Sequence, residues 1–131
     1  MNFLLDTSIL LWALTQPQRL NRPAHEILGG GRGGLCLSAV SVWEIVVKYQ
    51  LGKLPLPRPP AQCVPDWLKT GDIQPLDVSQ YHALAVADLP MHHQDPFDRM
   101  LIAQARTEGM VLLTADRMFE KYDVETIWCG A

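Results

Sequence analysis

The chain has few of the features that mark exported, membrane-spanning or zinc-binding proteins. Its three cysteines, Cys36, Cys63 and Cys129, are odd in number and show no CxxC spacing, so we expect reduced thiols in a cytoplasmic protein. No run of about 18 apolar residues is present, which predicts no membrane span. The apolar start lacks a basic leader and is interrupted by Asp6, so no export signal is expected either.

Charge is also sparse. Charged residues make up 19% of the chain and the net charge is −3, which argues against a strongly basic surface for coating nucleic acids. This balance still allows an enzyme that contacts a few phosphates and uses carboxylates to hold metal ions. The 131 residues and the hydrophobic content of 48% suit an ordinary globular protein with a single domain over residues 1–131.

Short apolar runs alternate with helical patterns along the chain. Strands are predicted at residues 3–5, 35–37, 73–76, 110–113 and 124–128. Helices are predicted at residues 9–14, 21–28, 38–51, around Trp67, and at 79–87, 95–108 and 115–122. Five prolines between Lys53 and Pro65 predict an irregular connection. The alternation predicts a three-layer α/β/α fold with a central parallel sheet of about five strands.

Two aspartates stand at predicted junctions between a strand and a helix. Asp6 follows the apolar run at residues 3–5, and Asp116 follows the run that ends at Ala115. For Asp6, one interpretation is a helix N-cap, worth about 1 kcal/mol. The other is a functional site, because ligands of parallel α/β sheets bind outside the carboxyl ends of the strands.

Glu44 lies within a predicted helix that is apolar nearly all round and is therefore expected to be buried. One interpretation is a capping box in which Ser41 pairs with Glu44. Ser38 is an equally good cap, however, and would place Glu44 inside the helix. A carboxylate among valine, tryptophan and isoleucine is costly to bury without a cation or hydrogen-bond donors. A metal ion would meet that need.

The segment Asp95-Pro96-Phe97-Asp98 has the pattern of a helix start, with Asp95 as the N-cap. Asp98 lies three positions further on, on the same side of the first turn. Apolar residues at positions 101, 102 and 105 continue its face, so Asp98 is expected to point toward the core side.

Acids at several junctions of one sheet edge would repel one another. At about 4 Å and an effective dielectric constant near 20, each pair costs on the order of 4 kcal/mol. A marginally stable fold needs a counter-ion to hold such a cluster ionised. Oxygen ligands without thiolates or an imidazole set favour Mg²⁺ or Mn²⁺. The sequence therefore predicts a divalent metal site.

Other residues have weaker signals. Adjacent histidines do not share a face, so His92 and His93 are expected to make loop contacts rather than form a metal pair. Arg99 is interpreted as a phosphate contact, with pairing to an acid as the alternative. The four tryptophans are interpreted as core or dimer-interface residues rather than base-stacking platforms: Trp12, Trp43, Trp67 and Trp128.

With the acids placed, the chain resembles the PIN-domain family, and within it the VapC-type toxins of prokaryotic toxin–antitoxin pairs. The resemblance is carried by residues 3–8 (FLLDTS), 41–45 (SVWEI), 95–105 (DPFDRMLIAQA) and 111–116 (VLLTAD). Each segment alone is weak evidence. Four in this order and at these spacings, from end to end of the chain, are strong evidence.

The resemblance implies a PIN-like sheet of about five strands, usually in a homodimer, and an Mg²⁺- or Mn²⁺-dependent endoribonuclease. It implies a catalytic and metal-binding quartet, which consists of Asp6, Glu44, Asp98 and Asp116. Asp95 is a further candidate metal ligand. By analogy, Ser8 and Thr114 would orient the ligands or a metal-bound water.

The resemblance also implies the reaction and the partners. It suggests hydrolysis of structured RNA such as tRNA, leaving a 5′-phosphate, and a separate antitoxin protein that closes the site with a basic side chain. Because RNA is held by its backbone and its splayed loops, a few basic groups would suffice. The candidates are Arg99, Lys48 and Lys53.

Three other interpretations explain these residues less well. A haloacid-dehalogenase-like phosphatase needs a second Asp two residues after the first, where Ser8 stands, and the pattern of a receiver domain is absent. The serious alternative is a catalytically inactive PIN-like module that binds RNA or a protein without cutting. The presence of all four acids disfavours it.

Overall fold

Five parallel strands form the centre of the fold. The computed structural model describes all residues from 1 to 131. The strands are β1 (Asn2–Leu5), β2 (Gly34–Ser38), β3 (Ile73–Leu76), β4 (Val111–Thr114) and β5 (Thr126–Trp128). They pair in the order β3-β2-β1-β4-β5, and every pair is parallel. The predicted parallel sheet is confirmed.

Six α-helices and three short 3-10 helices connect the strands. The α-helices are α1 (Thr7–Thr15), α2 (Arg22–Leu28), α3 (Ala39–Gln50), α4 (Pro60–Thr70), α5 (Gln80–Ala85) and α6 (Pro96–Glu108). The 3-10 helices are Pro17–Arg19, Val86–Asp88 and Arg117–Lys121. None of these helices combines the length and the apolar composition needed to cross a membrane.

Both faces of the sheet are buried, which explains why the strands are continuous apolar runs. Alternate side chains of β1 point to opposite faces, as the two-residue period of a strand requires. Phe3 and Leu5 pack in one core with α1 and α2, whereas Leu4 packs in a second core with α6. The fold therefore has the three layers predicted from the sequence.

Three predicted elements differ from the structure. Residues 60–70 form a helix although Pro60 and Pro65 lie in it, because Pro60 stands in the first turn, where its missing N–H costs nothing. The predicted helix at 115–122 is a 3-10 helix at Arg117–Lys121, and Asp116 precedes it as its cap. The last strand begins at Thr126 rather than Val124.

The strand order places the acids at one edge of the sheet. From β1 the chain moves outward to β2 and β3, and it later returns to the other side of β1 to form β4. β1 and β4 are therefore neighbours at a topological switch point, where the crevice outside the strand ends is open. Asp6 and Asp116 follow these two strands, and the Asp6 backbone N–H donates to the Leu113 carbonyl at 3.0 Å.

Candidate metal centre

Asp6 is held by a side chain from the neighbouring strand. Its carboxylate is buried and caps nothing, although its residue precedes α1. Instead, the Thr114 hydroxyl donates to Asp6 Oδ2 at 2.9 Å, and the same hydroxyl oxygen accepts the Asp116 backbone N–H at 3.0 Å. Thr114 thus links the two acids that follow β1 and β4. Asp6 stands at the N-cap position of α1 without a side-chain capping hydrogen bond, although the Ser8 amide lowers its pKa.

Glu44 lies inside α3, as expected if Ser38 rather than Ser41 caps this helix. The Ser38 hydroxyl accepts the Val40 N–H at 3.1 Å. The Glu44 side chain is only 6% exposed, and Lys48 Nζ lies 2.6 Å from its Oε2. Its Oε1 is buried and has no hydrogen-bond partner. An unpartnered buried carboxylate oxygen is costly unless a cation or a donor reaches it.

Asp95 and Asp98 have different environments, although both lie at the start of α6. Asp95 Oδ1 accepts the backbone N–H groups of Phe97 at 2.8 Å and Asp98 at 3.2 Å, so the predicted N-cap is confirmed. Asp98 caps nothing, and its largely buried side chain meets the ring of His93, with 2.8 Å between Nε2 and Oδ2. Its other oxygen makes no hydrogen bond.

Asp116 completes the centre from the end of β4. Its Oδ1 accepts the Met118 N–H at 2.9 Å. Its Oδ2 lies 3.2 Å from His93 Nε2, and this nitrogen therefore contacts two carboxylates at once. One potential ligand atom from each of His93, Asp98 and Asp116 lies within 4.8 Å of the others. At 39% exposure, the Asp116 side chain is more open to solvent than those of Glu44 and Asp98.

The pKa values show that the acids share one electrostatic environment. Burial raises the pKa of Asp98 to about 8, with further increases from the charges of Asp6, Asp95, Glu44 and Asp116. Burial also raises the pKa of Asp6 to about 6; the charges of Glu44 and Asp116 add to this, while the Thr114 hydroxyl and the Ser8 amide oppose it. Ionising the whole cluster is therefore unfavourable without a cation.

The donor set fits a hard divalent cation. Its acidic members are carboxylates, which are the ligands that Mg²⁺ and Mn²⁺ prefer, and the His93 ring lies among them. Glu44 Oε1 gives separate support for a cation at this site. The atom is buried and has no hydrogen-bond partner, so no protein group compensates it directly. We therefore regard the residues present as compatible with the metal predicted from the sequence.

The basic candidates are not all near this centre. Arg99 is buried, and its guanidinium donates to the carbonyls of Pro90, Val86 and Leu89. A buried guanidinium that is bound to backbone carbonyls cannot reach a phosphate, so the predicted substrate contact of Arg99 is wrong. Lys53 is exposed, outside the ion pairs of the fold.

The structure also decides between the interpretations of Ser8 and Trp43. Ser8 is exposed, and its side chain makes no hydrogen bond, so only its backbone amide acts on Asp6. Trp43 is 61% exposed, so α3 is buried on one face only and the core interpretation of this tryptophan is wrong. Trp43 packs edge-on against Phe97, with 5.1 Å between the ring centroids. The dimer-interface interpretation stays a prediction.

Two polar contacts around the acids are not predicted from the sequence. His93 was expected to make a loop contact, and it does lie in a loop, but its ring joins two of the acids. The buried Thr7 hydroxyl donates to the Ser41 hydroxyl at 2.9 Å and ties α1 to α3, the helices beside Asp6 and Glu44. The rule that adjacent side chains face opposite ways predicts that only one histidine points inward, but not which one.

Known proteins resemble this chain in sequence and in fold. The family model for the PIN domain matches residues 3–125. Ribonuclease VapC16 of Mycobacterium tuberculosis is 47% identical over 51 residues, which are 39% of this chain and only 36% of that protein. The tRNA(fMet)-specific endonuclease VapC of Shigella flexneri is 27% identical over 133 residues, which cover 92% of each chain.

A solved structure has the same architecture. The crystal structure of VapBC2 from Rickettsia felis, bound to a DNA fragment from their promoter, superposes with a TM-score of 0.75. It is 14% identical and covers 98% of this chain and 99% of that chain. The likeness at this identity concerns the fold. Since the family match extends over almost the whole sequence, this chain belongs to the PIN domain family.

Proposed function

We propose that this protein is a divalent-metal-dependent endoribonuclease and the toxin of a toxin–antitoxin pair. The observation that carries the proposal is the convergence of four carboxylates at one edge of the sheet, where burial and mutual repulsion raise the pKa of two of them. A site used only for binding RNA would not need negative charge where the phosphates approach. The endonuclease and ribonuclease named among the relatives support the same reaction class.

The quartet would hold Mg²⁺ or Mn²⁺, with Asp95 as an additional acid nearby. The bound ion would supply Lewis-acid polarisation of a phosphodiester oxygen and a lowered pKa for an attacking water. Two features of the chain support this role. Glu44 has a buried oxygen without a hydrogen-bond partner, and Asp98 has a potential ligand atom within 4.8 Å of one from Asp116.

Side chains of the site would assist the metal ion in different ways. Asp116 is the acid most open to solvent, so it is placed to orient an attacking water and to accept its proton. Thr114 would keep Asp6 and Asp116 in register, because its hydroxyl bonds to both residues. Lys48 is 47% exposed, and its ammonium would face an RNA phosphate once an ion takes over the charge of Glu44. Lys53 remains a weaker candidate for backbone contact.

The substrate and partners follow from the relatives rather than from the site. The Shigella enzyme is named for tRNA, so structured RNA such as tRNA is the class we propose here. A separate antitoxin would cover the acids with a basic side chain, and we propose a homodimer and a cytoplasmic location. The structural neighbour VapBC2, solved on promoter DNA, supports an antitoxin partner.

The test is cleavage of a purified tRNA by the metal-free protein after addition of Mn²⁺ or Mg²⁺. We expect metal-dependent cleavage by the wild type and a loss of at least about 100-fold in Asp6→Asn and Asp98→Asn, which keep the side-chain shape. Asp123→Asn is the matched control, because Asp123 is an exposed acid outside the cluster. Equal cleavage by the wild type and both quartet variants would overturn the enzyme proposal in favour of a binding module.

A further inference from the structure

His93 places one ring nitrogen against the carboxylates of two members of the quartet. It lies in the loop between the 3-10 helix Val86–Asp88 and α6. Its Nε2 is 2.8 Å from Asp98 Oδ2 and 3.2 Å from Asp116 Oδ2. The two acids come from different parts of the chain, since one begins α6 and the other follows β4. A single ring nitrogen therefore bridges carboxylates that would otherwise repel.

The ring of His93 is fixed from three sides. Its backbone N–H donates to the Tyr122 hydroxyl at 2.7 Å. Its ring packs edge-on against Phe119, with 5.9 Å between centroids. The Asp95 backbone N–H points at Nδ1 from 3.4 Å, at the long end of the hydrogen-bond range. The side chain is 15% exposed, so its position is set by these contacts rather than by solvent.

These contacts decide which nitrogen carries the proton. An N–H group that points at Nδ1 needs a lone pair there, so the proton of the neutral ring lies on Nε2. The Nε2–H then donates to Asp116 Oδ2, and Asp98 Oδ2 lies 2.8 Å from the same nitrogen in a close polar contact. In this tautomer Nε2 has no lone pair for a metal ion, which makes His93 a donor to the acids rather than a ligand beside them.

The same arrangement recurs at the other acids. Thr114 donates to one oxygen of Asp6, and Lys48 donates to one oxygen of Glu44. His93 donates to one oxygen of Asp116, and its Nε2 also touches Asp98 Oδ2. In Glu44 the second oxygen is buried and has no hydrogen bond, so a protein donor holds one oxygen and leaves the other available. Donors of this kind orient the ligands of metal sites and raise their affinity.

We infer that His93 is a positioning residue of the metal centre: its Nε2–H donates to Asp116 while the same nitrogen lies against Asp98, which keeps the two acids together with their remaining lone pairs facing one ion. The inference rests on the proposed function, because it assigns a role at the proposed metal site. It concerns a hydrogen bond and requires neither a charged imidazole nor direct coordination.

The test compares Mn²⁺ affinity by calorimetry in the wild type, His93→Ala, His93→Gln and His92→Ala. The loss in His93→Ala is expected to be about 10- to 100-fold in Kd, the usual range for a donor that orients metal ligands. His93→Gln is expected to restore most of the affinity, because its terminal NH₂ reaches the position of Nε2 and donates there without a ring. His92→Ala is the matched control, since His92 is exposed and its ring meets Tyr122 rather than an acid.

Each outcome decides the inference. Unchanged affinity in His93→Ala overturns it, and so does tighter binding, which would make the ring a competitor of the ion. A loss in His93→Gln equal to that in His93→Ala would point to coordination by the imidazole and also overturns it. Absence of metal binding in the wild type overturns the proposed function and this inference together, whereas normal binding in both His93 variants leaves the proposed function intact.

A spectroscopic measurement checks the hydrogen bond itself. Long-range ¹⁵N–¹H correlation spectra of the metal-free protein distinguish the two neutral tautomers of a histidine. We expect the Nε2–H tautomer of His93 in the metal-free protein and the same tautomer in the Mg²⁺-bound protein. A proton found on Nδ1 would overturn the assignment even if the affinities followed the expected order.

Discussion

Lys48 Nζ lies 2.6 Å from Glu44 Oε2, and no other lysine or arginine forms an ion pair with a member of the acidic quartet. Burial lowers the pKa of Lys48, but the hydrogen bond and the charge of Glu44, together with the charges of Asp95 and Asp98, outweigh this and raise it. In the metal-free protein, Lys48 is therefore the counter-charge of a nearly buried carboxylate.

We predict that Lys48→Met destabilises the metal-free protein by about 1–2 kcal/mol. Methionine keeps the apolar stem but leaves the buried Glu44 without its cation. The expected loss is smaller than for a fully buried pair because Lys48 is half exposed and solvent screens the interaction. Saturating Mn²⁺ should shrink the difference, because an ion bound to Glu44 replaces the missing charge. Urea unfolding in EDTA and in Mn²⁺ measures both effects.

The matched control for Lys48 is Arg22→Met. Arg22 and Glu26 form an ion pair at the same helical spacing of four residues, but both side chains are exposed. We expect the free energy of unfolding to change by less than about 0.5 kcal/mol. Equal effects of the two substitutions would show that burial of Glu44 does not strengthen its ion pair.

The sheet was predictable because strands buried on both faces need unbroken apolar runs. Residues 3–5 and 111–113 have such runs, and they form the two neighbouring strands that carry Asp6 and Asp116. The helix predicted around Trp67 is α4, but it begins earlier than expected because the sequence pattern places Pro60 and Pro65 in an irregular connection. A proline at the first helical position favours a helix start, so Pro60 marks the beginning of α4 rather than a break in it.

The candidate site was predictable only in its acids. Carboxylates at strand ends and helix starts converge because the topology brings those ends together. The partners of these acids depend on loop geometry, which has no sequence period. For this reason the sequence does not distinguish the adjacent His92 and His93, and it predicts a substrate contact for Arg99, whose guanidinium donates to backbone carbonyls in the interior.

We predict that the metal-free protein becomes less stable as the pH rises from about 4 to 8. The pKa of Asp6, about 6, and that of Asp98, about 8, both lie above the unfolded value near 3.9. Between the unfolded and the folded pKa, the folded chain binds more protons than the unfolded chain, so the free energy of unfolding falls as protons are lost. The slope is up to about 1.4 kcal/mol per pH unit for one such group.

Urea unfolding at several pH values in EDTA measures this dependence. Asp98→Asn is expected to flatten the decline between pH 6 and 8 and to be more stable than the wild type at pH 8, because it removes the acid that is hardest to ionise. Mn²⁺ should oppose the decline, since it binds the ionised carboxylates. A stability that rises with pH across this range in EDTA would contradict the raised pKa values.

The hydroxyl of Thr114 is expected to matter more than its methyl group. Thr114→Val keeps the shape but removes the donor to Asp6 Oδ2 and the acceptor of the Asp116 N–H. We expect Mn²⁺ affinity to fall by about tenfold or more and unfolding free energy by about 1–3 kcal/mol. Thr114→Ser keeps both hydrogen bonds and should retain most of the affinity. Calorimetry on the two variants decides, and equal losses would assign the effect to packing of the methyl group.

Arg99 is predicted to be a structural residue. Its guanidinium satisfies the carbonyls of Pro90, Val86 and Leu89 and lies 3.4 Å from the Tyr122 hydroxyl, which in turn accepts the His93 N–H. Replacing it with methionine leaves these buried acceptors unpaired, so we expect a loss of about 2–4 kcal/mol in unfolding free energy.

Arg106→Met is the control for Arg99, because Arg106 lies on the same helix α6 but is exposed, and a change within about 0.5 kcal/mol is expected. At a temperature where Arg99→Met remains folded and at saturating Mn²⁺, KM for the RNA should stay within about twofold of the wild type. A phosphate contact would change KM, whereas hydrogen bonds to buried carbonyls change the free energy of unfolding. The two measurements therefore distinguish the two roles of Arg99. A several-fold rise in KM with unchanged stability would return Arg99 to the RNA-binding surface.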